Sequence, residues 1–139
     1  MTSTLAALLA GKDSNSLAIG APGRDWLTYG GLRALAAEVA DQLHGFGIGT
    51  GDKVAIVLPN GPEMATAFIT IAQAAVTAPL NPSYRQEEFA FYLEDLKAKA
   101  LVVMAGYEGH AVAAAEMCGI TMLRLETGPD LPAGRFKLS

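Results

Sequence analysis

From Lys53 onward, short apolar runs alternate with amphipathic segments, and this alternation constrains the fold more than any other feature. Val54–Leu58 is unbroken in its apolar character, and strand-length segments follow at residues 76–80, 100–105 and 121–125. Continuous rather than alternating apolarity is typical of strands buried on both faces, as in a parallel sheet. The segments between them are long enough for helical crossovers. The sequence therefore predicts an α/β fold: a largely parallel sheet with helices on both faces.

The first long helix is predicted from a stripe of apolar residues at spacings of three or four. Thr28 is placed to act as its N-cap, and Gly47 can supply the left-handed residue that ends it. His44 lies in the last turn, where a cationic ring would suit the helix dipole. The inward-facing residues are Leu32, Leu35, Ala36, Val39, Leu43 and Phe46.

Three further helices are predicted between the strands. Residues 60–63 (NGPE) carry a start signal in which Asn60 is the cap, for a helix that reaches residue 75. Ser83 and Gln86 predict a capping box for the next helix. A weaker helix spans residues 111–118. The helix that follows Ser83 and Gln86 should turn Phe89, Tyr92, Leu93 and Leu96 inward.

The two ends of the chain carry weaker signals. Residues 5–10 predict a short helix, and strands at 17–19 and 26–28 flank a turn, which indicates a small hairpin. After Glu126 the chain becomes polar and rich in glycine and proline, without periodicity. We therefore predict one α/β subdomain over residues 1–125 and a linker or frayed tail over residues 126–139.

Composition excludes several classes of function. The net charge is −4 and the ten basic residues are scattered singly, which argues against a nucleic-acid partner. Cys118 is the only cysteine, so an intrachain disulfide or a cysteine-based zinc cluster is excluded. The apolar stretch at residues 64–80 is interrupted by polar residues and is short for a membrane span. No convincing signal peptide precedes it, and we expect a cytoplasmic protein.

Two glycine-containing segments suggest phosphate binding, but their flanking elements or residues differ from those of phosphate-binding loops. Phosphate loops follow a strand and open a helix, whereas the cluster at residues 45–51 leaves a helix and enters a strand. Gly11 and Lys12 lack the first glycine and the following Ser or Thr of a P-loop. Both segments are interpreted as turns.

Other reactive residue types are also isolated from partners. His44 and His110 are too far apart in sequence for a helical zinc motif, and Ser83 has no nucleophile elbow. Glu87 and Glu88 point about 100° apart on a helix, so a solvated helix start is favoured over an acid–base pair. The apolar surroundings of Cys118 suggest an inert thiol. The residues therefore indicate no catalytic, cofactor-binding or metal-binding residue in this chain.

Three stretches in fixed order resemble the adenylate-forming superfamily of acyl-CoA synthetases, aryl-CoA ligases, luciferases and peptide-synthetase adenylation domains. They are LTY at residues 27–29 with the helix and GIGTGDKVAI up to residue 56, LPNGPE at 58–63, and AVTAPLNP with EFAFYLED and AKALVV between residues 75 and 103. Gly31 and Ala74 depart from the family's usual Glu and Gly. The run EEFAFYL at residues 87–93 is similar to the oxalyl-CoA synthetase branch.

The resemblance implies what the intact protein does. A carboxylic acid reacts with ATP to give acyl-AMP and pyrophosphate, and CoA then displaces AMP to give a thioester; ATP, Mg²⁺ and CoA would be required. The family's ATP-binding loop and catalytic lysines are not found in these 139 residues. We therefore expect an N-terminal fragment that binds no cofactor and makes no acyl-AMP by itself. Because the missing part would leave apolar surface exposed, we expect a homo-oligomer.

Two alternatives remain open from the residues. The chain could be a stand-alone α/β module with a ligand at the carboxyl ends of its strands, where Asn60, Asn81 and Gly106 are available. It could instead be a noncatalytic regulatory domain derived from the synthetase family. Whether the gene continues past Ser139 separates both from the fragment interpretation.

Overall fold

The computed structural model describes residues 16–128 and 130–139, which form a small hairpin and a five-stranded sheet flanked by helices. The predicted helix at residues 5–10 lies outside the described residues. The strands are β1 (Leu17–Ile19), β2 (Leu27–Thr28), β3 (Lys53–Val57), β4 (Val76–Pro79), β5 (Ala100–Met104), β6 (Thr121–Glu126) and β7 (Lys137–Leu138). The helices are α1 (Tyr29–Gly45), α2 (Pro62–Ala72), α3 (Gln86–Leu96) and α4 (His110–Cys118).

The main sheet has the strand order β4-β3-β5-β6-β7. The first three pairings are parallel, with Val54 opposite both Thr77 and Ala100, and Leu101 opposite Met122. Only β7 runs antiparallel to its neighbour, pairing Leu138 with Leu125. The predicted class, a largely parallel sheet within an α/β fold, is confirmed.

The central strand β3 shows why its sequence is continuously apolar. Val54 and Ile56 face a core beneath α1 and α2, whereas Ala55 and Val57 face a second core beneath α3 and α4. Successive residues of a strand point to opposite faces of the sheet, and helices cover both faces, so all four side chains are buried. Helices on both faces, as predicted, explain the pattern.

Helix α1 follows the predicted stripe except at Ala36, which is half-buried, and at Phe46. Its buried residues are Leu32, Leu35, Val39 and Leu43, and Gly47 adopts a φ of +80° just beyond its end. The Thr28 Oγ1 accepts a hydrogen bond from the Gly31 N–H at 3.0 Å, so Thr28 is the N-cap as predicted. Phe46 is 42% exposed, because it lies past the last helical residue and leaves the stripe.

Two predicted helix caps are wrong. Helix α2 begins with Gly61 as N-cap and Pro62 as its first residue, and no side chain caps it, so Asn60 lies one residue too early. Helix α3 has Arg85 as N-cap, whose N–H donates to the Glu88 carboxylate at 3.0 Å. Ser83 instead sits in a turn in which its N–H donates to Asn81 Oδ1. Before α3, the polar residues are thus used in a turn that precedes the helix.

The expectation of a frayed tail after residue 125 is also wrong. Strand β7 pairs with β6, and Ala133 and Phe136 are 0% and 1% exposed. The Leu138 N–H donates to Gln42 Oε1 on α1 at 3.1 Å. The segment is thus part of the core even though its sequence lacks periodicity. Its predicted role as a link to further domains stays a prediction.

Within the described ranges, none of the helices combines the length and apolarity needed to cross a membrane.

Candidate functional site

The carboxyl edge of the parallel sheet is where the fold would place a ligand. In open α/β sheets, ligands bind outside the carboxyl ends of strands whose following helices lie on opposite faces. Strands β3 and β5 are neighbours of this kind, since α2 covers one face of the sheet and α4 the other. The crevice between them is bordered by residues 58–61 and 105–109.

The loop after β3 contributes few polar side chains to this crevice. Leu58 is buried, and Pro59 and Asn60 are exposed. Gly61 has a φ of 156° and a ψ of −179°, a backbone conformation that favours glycine. The Asn60 side chain caps no helix, so this loop offers one amide group and free backbone.

The loop after β5 contacts Arg124, a cationic side chain of β6, and so engages its charge within the protein. Arg124 Nη1 donates to the Tyr107 carbonyl at 2.6 Å, and Arg124 Nη2 contacts the Glu108 carboxylate at 3.2 Å. The Tyr107 hydroxyl accepts from the Ala111 N–H at 3.4 Å. Gly106, with a φ of +86°, makes the turn. Asn81, at the end of β4, bonds within its own turn. The three residues considered for a stand-alone binding module therefore do not form a set of convergent donors.

These loops do not fit ATP or a magnesium ion by themselves. Triphosphate binding needs cationic side chains and a cradle of donors. Arg124, a cationic side chain of β6 that reaches the β5 loop, is engaged by Tyr107 and Glu108. Across residues 16–128 and 130–139, no group of three or more His, Cys, Asp or Glu residues is arranged to hold a metal ion.

The other reactive residue types lie apart from one another. His44 is in the last turn of α1, and His110 is the first residue of α4; both are exposed. Burial, and to a smaller extent the Glu94 carboxylate, raises the pKa of the Cys118 thiol. A raised pKa keeps the thiol protonated, which disfavours a nucleophilic role.

The glycine-rich stretch at residues 45–51 is a turn, as its position between a helix and a strand indicated. The Gly47 and Ile48 N–H groups donate back to the His44 and Leu43 carbonyls. The Gly49 N–H donates to the Asp52 carboxylate at 2.8 Å, which fixes the entry into β3. Its amides are therefore directed to the protein rather than to a ligand.

A polar cluster that the sequence did not reveal lies at the start of α2. Arg24 Nη1 and the Glu63 carboxylate are 2.6 Å apart, with the two side chains 18% and 15% exposed. Glu63 also accepts from the Gly134 N–H at 3.0 Å. Arg24 Nη2 donates to the carbonyls of Pro132 and Leu131 at 3.0 and 3.3 Å. One ion pair thus joins the hairpin turn, α2 and the final segment.

A second layer of contacts supports this cluster. The Thr66 Oγ1 donates to the Gly134 carbonyl at 2.6 Å, and the Ala133 N–H donates to the Asp25 carbonyl at 2.8 Å. A cleft of about 460 Å³ borders the same segment. It is lined by Glu126, Thr127, Gly128, Asp130, Leu131, Arg135, Phe136 and Lys137. The arrangement secures the segment against α2 and the hairpin turn.

Comparison with known proteins agrees with the fold. The family model for AMP-binding enzymes matches residues 9–134. The protein described as probable CoA ligase CCL9 from Humulus lupulus is 38% identical over 122 residues, which are 85% of this chain and 23% of that protein. Oxalate–CoA ligase from Arabidopsis thaliana is 35% identical over 136 residues, or 92% of this chain and 26% of that protein.

A solved structure extends the similarity to three dimensions. ATP-bound MatB from Rhodopseudomonas palustris superimposes with a TM-score of 0.78 at 30% identity, over 98% of this chain and 27% of that one. The chain therefore spans about a quarter of the length of each of these three proteins.

Proposed function

Because this chain belongs to the family of AMP-binding enzymes, we propose that it is the N-terminal α/β part of an AMP-forming acid–CoA ligase. The family match over residues 9–134 carries this proposal. The complete enzyme would join a carboxylic acid to CoA with ATP, through an acyl-AMP intermediate. Among the relatives, CoA ligases recur, and one solved neighbour binds ATP.

The role of these residues in that reaction is structural. They form the sheet and its two helical layers. Near the carboxyl edge of β3 and β5, Arg124 is already paired with Glu108, and the described residues contain no group of His, Cys, Asp or Glu arranged to hold a metal ion. Bound ATP would supply the adenylyl group that activates the carboxylate, with pyrophosphate as the leaving group, and Mg²⁺ would neutralise the phosphate charge. The protein groups that contact them would come from other parts of a longer polypeptide, and the 139-residue chain alone would be inactive.

The acid is proposed from two separate likenesses. The run EEFAFYL at residues 87–93 is similar to the oxalyl-CoA synthetase branch, and an oxalate–CoA ligase is among the relatives. Oxalate is therefore our first candidate substrate. A cytoplasmic location and self-association also stay proposals; the exposed Trp26, Phe68 and Val76 side chains support the second.

ATP–pyrophosphate exchange tests the proposal. The purified 139-residue chain should show no exchange above background with oxalate, 4-coumarate or a long-chain fatty acid. A longer polypeptide from the same reading frame should exchange, with oxalate giving the highest rate. Exchange by the short chain would contradict the proposed inactivity. A longer polypeptide that shows no exchange with any acid would contradict the proposed enzyme class.

A further inference from the structure

The hairpin and the final segment lie at opposite ends of the described chain, and each satisfies polar groups of the other. Arg24, in the hairpin turn, donates through Nη2 to the Leu131 and Pro132 carbonyls at 3.3 and 3.0 Å. In the reverse direction, the Ala133 N–H donates to the Asp25 carbonyl at 2.8 Å. Movement of one region alone would therefore leave backbone groups of the other without these partners.

Both regions are attached to the same carboxylate oxygen at the start of α2. Glu63 Oε2 lies 2.6 Å from Arg24 Nη1, and it also accepts a hydrogen bond from the Gly134 N–H at 3.0 Å. Arg24 brings the hairpin to this oxygen, and Gly134 brings the final segment. In a mostly buried site the two contacts support each other, because hydrogen bonds of one network polarise one another.

The hairpin has little apolar packing of its own. Strands β1 and β2 pair at two register positions, and an isolated two-stranded hairpin is marginally stable in water. The buried residues near it, Leu27 and Leu32, form a small cluster separate from the two cores that cover the sheet. Leu17 and Trp26 are 58% and 53% exposed. The polar contacts to α2 and the final segment therefore contribute much of what holds the hairpin in place.

One buried polar atom indicates where the structure opens most readily. Arg24 Nε is buried and has no hydrogen-bond partner within the described ranges. A buried N–H that lacks a partner loses its hydration without compensation, so it destabilises the closed arrangement. Opening returns this group to water. Regions with few buried apolar contacts open at a lower free energy than core strands, and the contacts around Arg24 join two such regions.

We propose that the hairpin (residues 16–28) and residues 130–135 form one cooperative strap, which opens from α2 and closes on it as a unit while the sheet stays folded. The Arg24–Glu63 pair holds the strap closed. Because the two halves share this pair, Arg24 and Pro132, 108 residues apart in sequence, take part in one opening equilibrium. The inference rests on contacts within this chain and does not depend on the proposed ligase reaction.

Native-state hydrogen exchange of the ¹⁵N-labelled 139-residue chain, followed by NMR in low concentrations of urea, tests the proposal. The Tyr29 N–H, bonded to the Ser16 carbonyl, reports on the hairpin, and the Ala133 N–H reports on the final segment. We expect both amides to show one opening constant and one urea dependence, with an opening constant at least about tenfold larger than that of the β5 amides. Glu63→Gln should raise both opening constants by the same factor, about 30-fold or more.

Glu38→Gln is the matched control, because Glu38 pairs with Arg135 at the same 2.6 Å in a more exposed site on α1. It should change both opening constants by less than about fivefold. The proposal is overturned if Tyr29 and Ala133 differ in opening constant or urea dependence, if both open only together with β5, or if Glu63→Gln accelerates exchange at one and not the other. The unmodified chain alone decides the first two outcomes, so the test does not depend on the variant remaining folded.

Discussion

The central strands and the final segment both place buried side chains in the core, yet only the strands can be identified as buried from the sequence. Val54–Val57 is an unbroken apolar run between two helical layers. Residues 127–136 have no such run, and Ala133 and Phe136 are nonetheless almost completely buried. Burial in the strands follows from local pattern, whereas burial in the segment follows from partners distant in sequence.

Those partners are mainly polar. Arg24 reaches the Pro132 carbonyl 108 residues away, and Glu63 accepts from the Gly134 N–H 71 residues away. Gly134 has a φ of +86°, and a Cβ there would lie 2.5 Å from Thr66 Cγ2, so the close approach to α2 requires glycine. The difference teaches that an irregular segment can belong to the core when a few charged and backbone groups hold it there.

Removal of the buried ring in the final segment should have the largest effect. Phe136→Ala is expected to lower the free energy of unfolding by about 3–5 kcal/mol, because a large side chain leaves a cavity between α1 and the sheet. Urea denaturation followed by circular dichroism measures this loss. A frayed tail would give almost no change.

The same substitution on the surface is its control. Phe91→Ala removes a ring that is 63% exposed, so a change of at most about 0.5 kcal/mol is expected. Equal losses for the two variants would show that residue 136 is no better packed than residue 91. The final segment would then be a frayed tail, as predicted from the sequence.

Loss of the charge on Glu63 should have the second largest effect. Glu63→Gln leaves the Arg24 guanidinium without its carboxylate in a mostly buried site, and we expect a loss of about 2–3 kcal/mol, below the full cost for a completely buried pair. Arg24→Met should cost a similar amount. The double variant should cost less than the sum of the two, as measured by a denaturation cycle.

A second ion pair to the same segment provides the matched comparison. Arg135 and Glu38 are also 2.6 Å apart, but their side chains are 26% and 41% exposed. Glu38→Gln should therefore cost only about 0–1 kcal/mol. If Glu38→Gln costs as much as Glu63→Gln, burial of the Arg24 pair is not what anchors the segment.

The sequence predicted those parts of the fold that repeat a local period. The parallel strands, the stripe of α1 and the hairpin at residues 17–28 were identified because each depends on neighbours in the chain. The Arg24–Glu63 pair was missed because neither residue carries a signal of the other, and Glu63 looked like an ordinary acidic helix start. The prediction that this chain holds no catalytic, cofactor-binding or metal-binding residue stays a prediction, since it concerns chemistry in which other residues would take part.

The smallest effects separate a helix cap that was predicted correctly from one that was not. Thr28→Ala removes the acceptor of the Gly31 N–H and should cost about 1 kcal/mol. Ser83→Ala should change stability by less than about 0.3 kcal/mol, because Ser83 is exposed and α3 begins after Arg85. Both values come from urea denaturation under identical conditions. A loss of about 1 kcal/mol for Ser83→Ala would restore the capping box read from the sequence, since only a hydroxyl bonded to the helix could contribute that much.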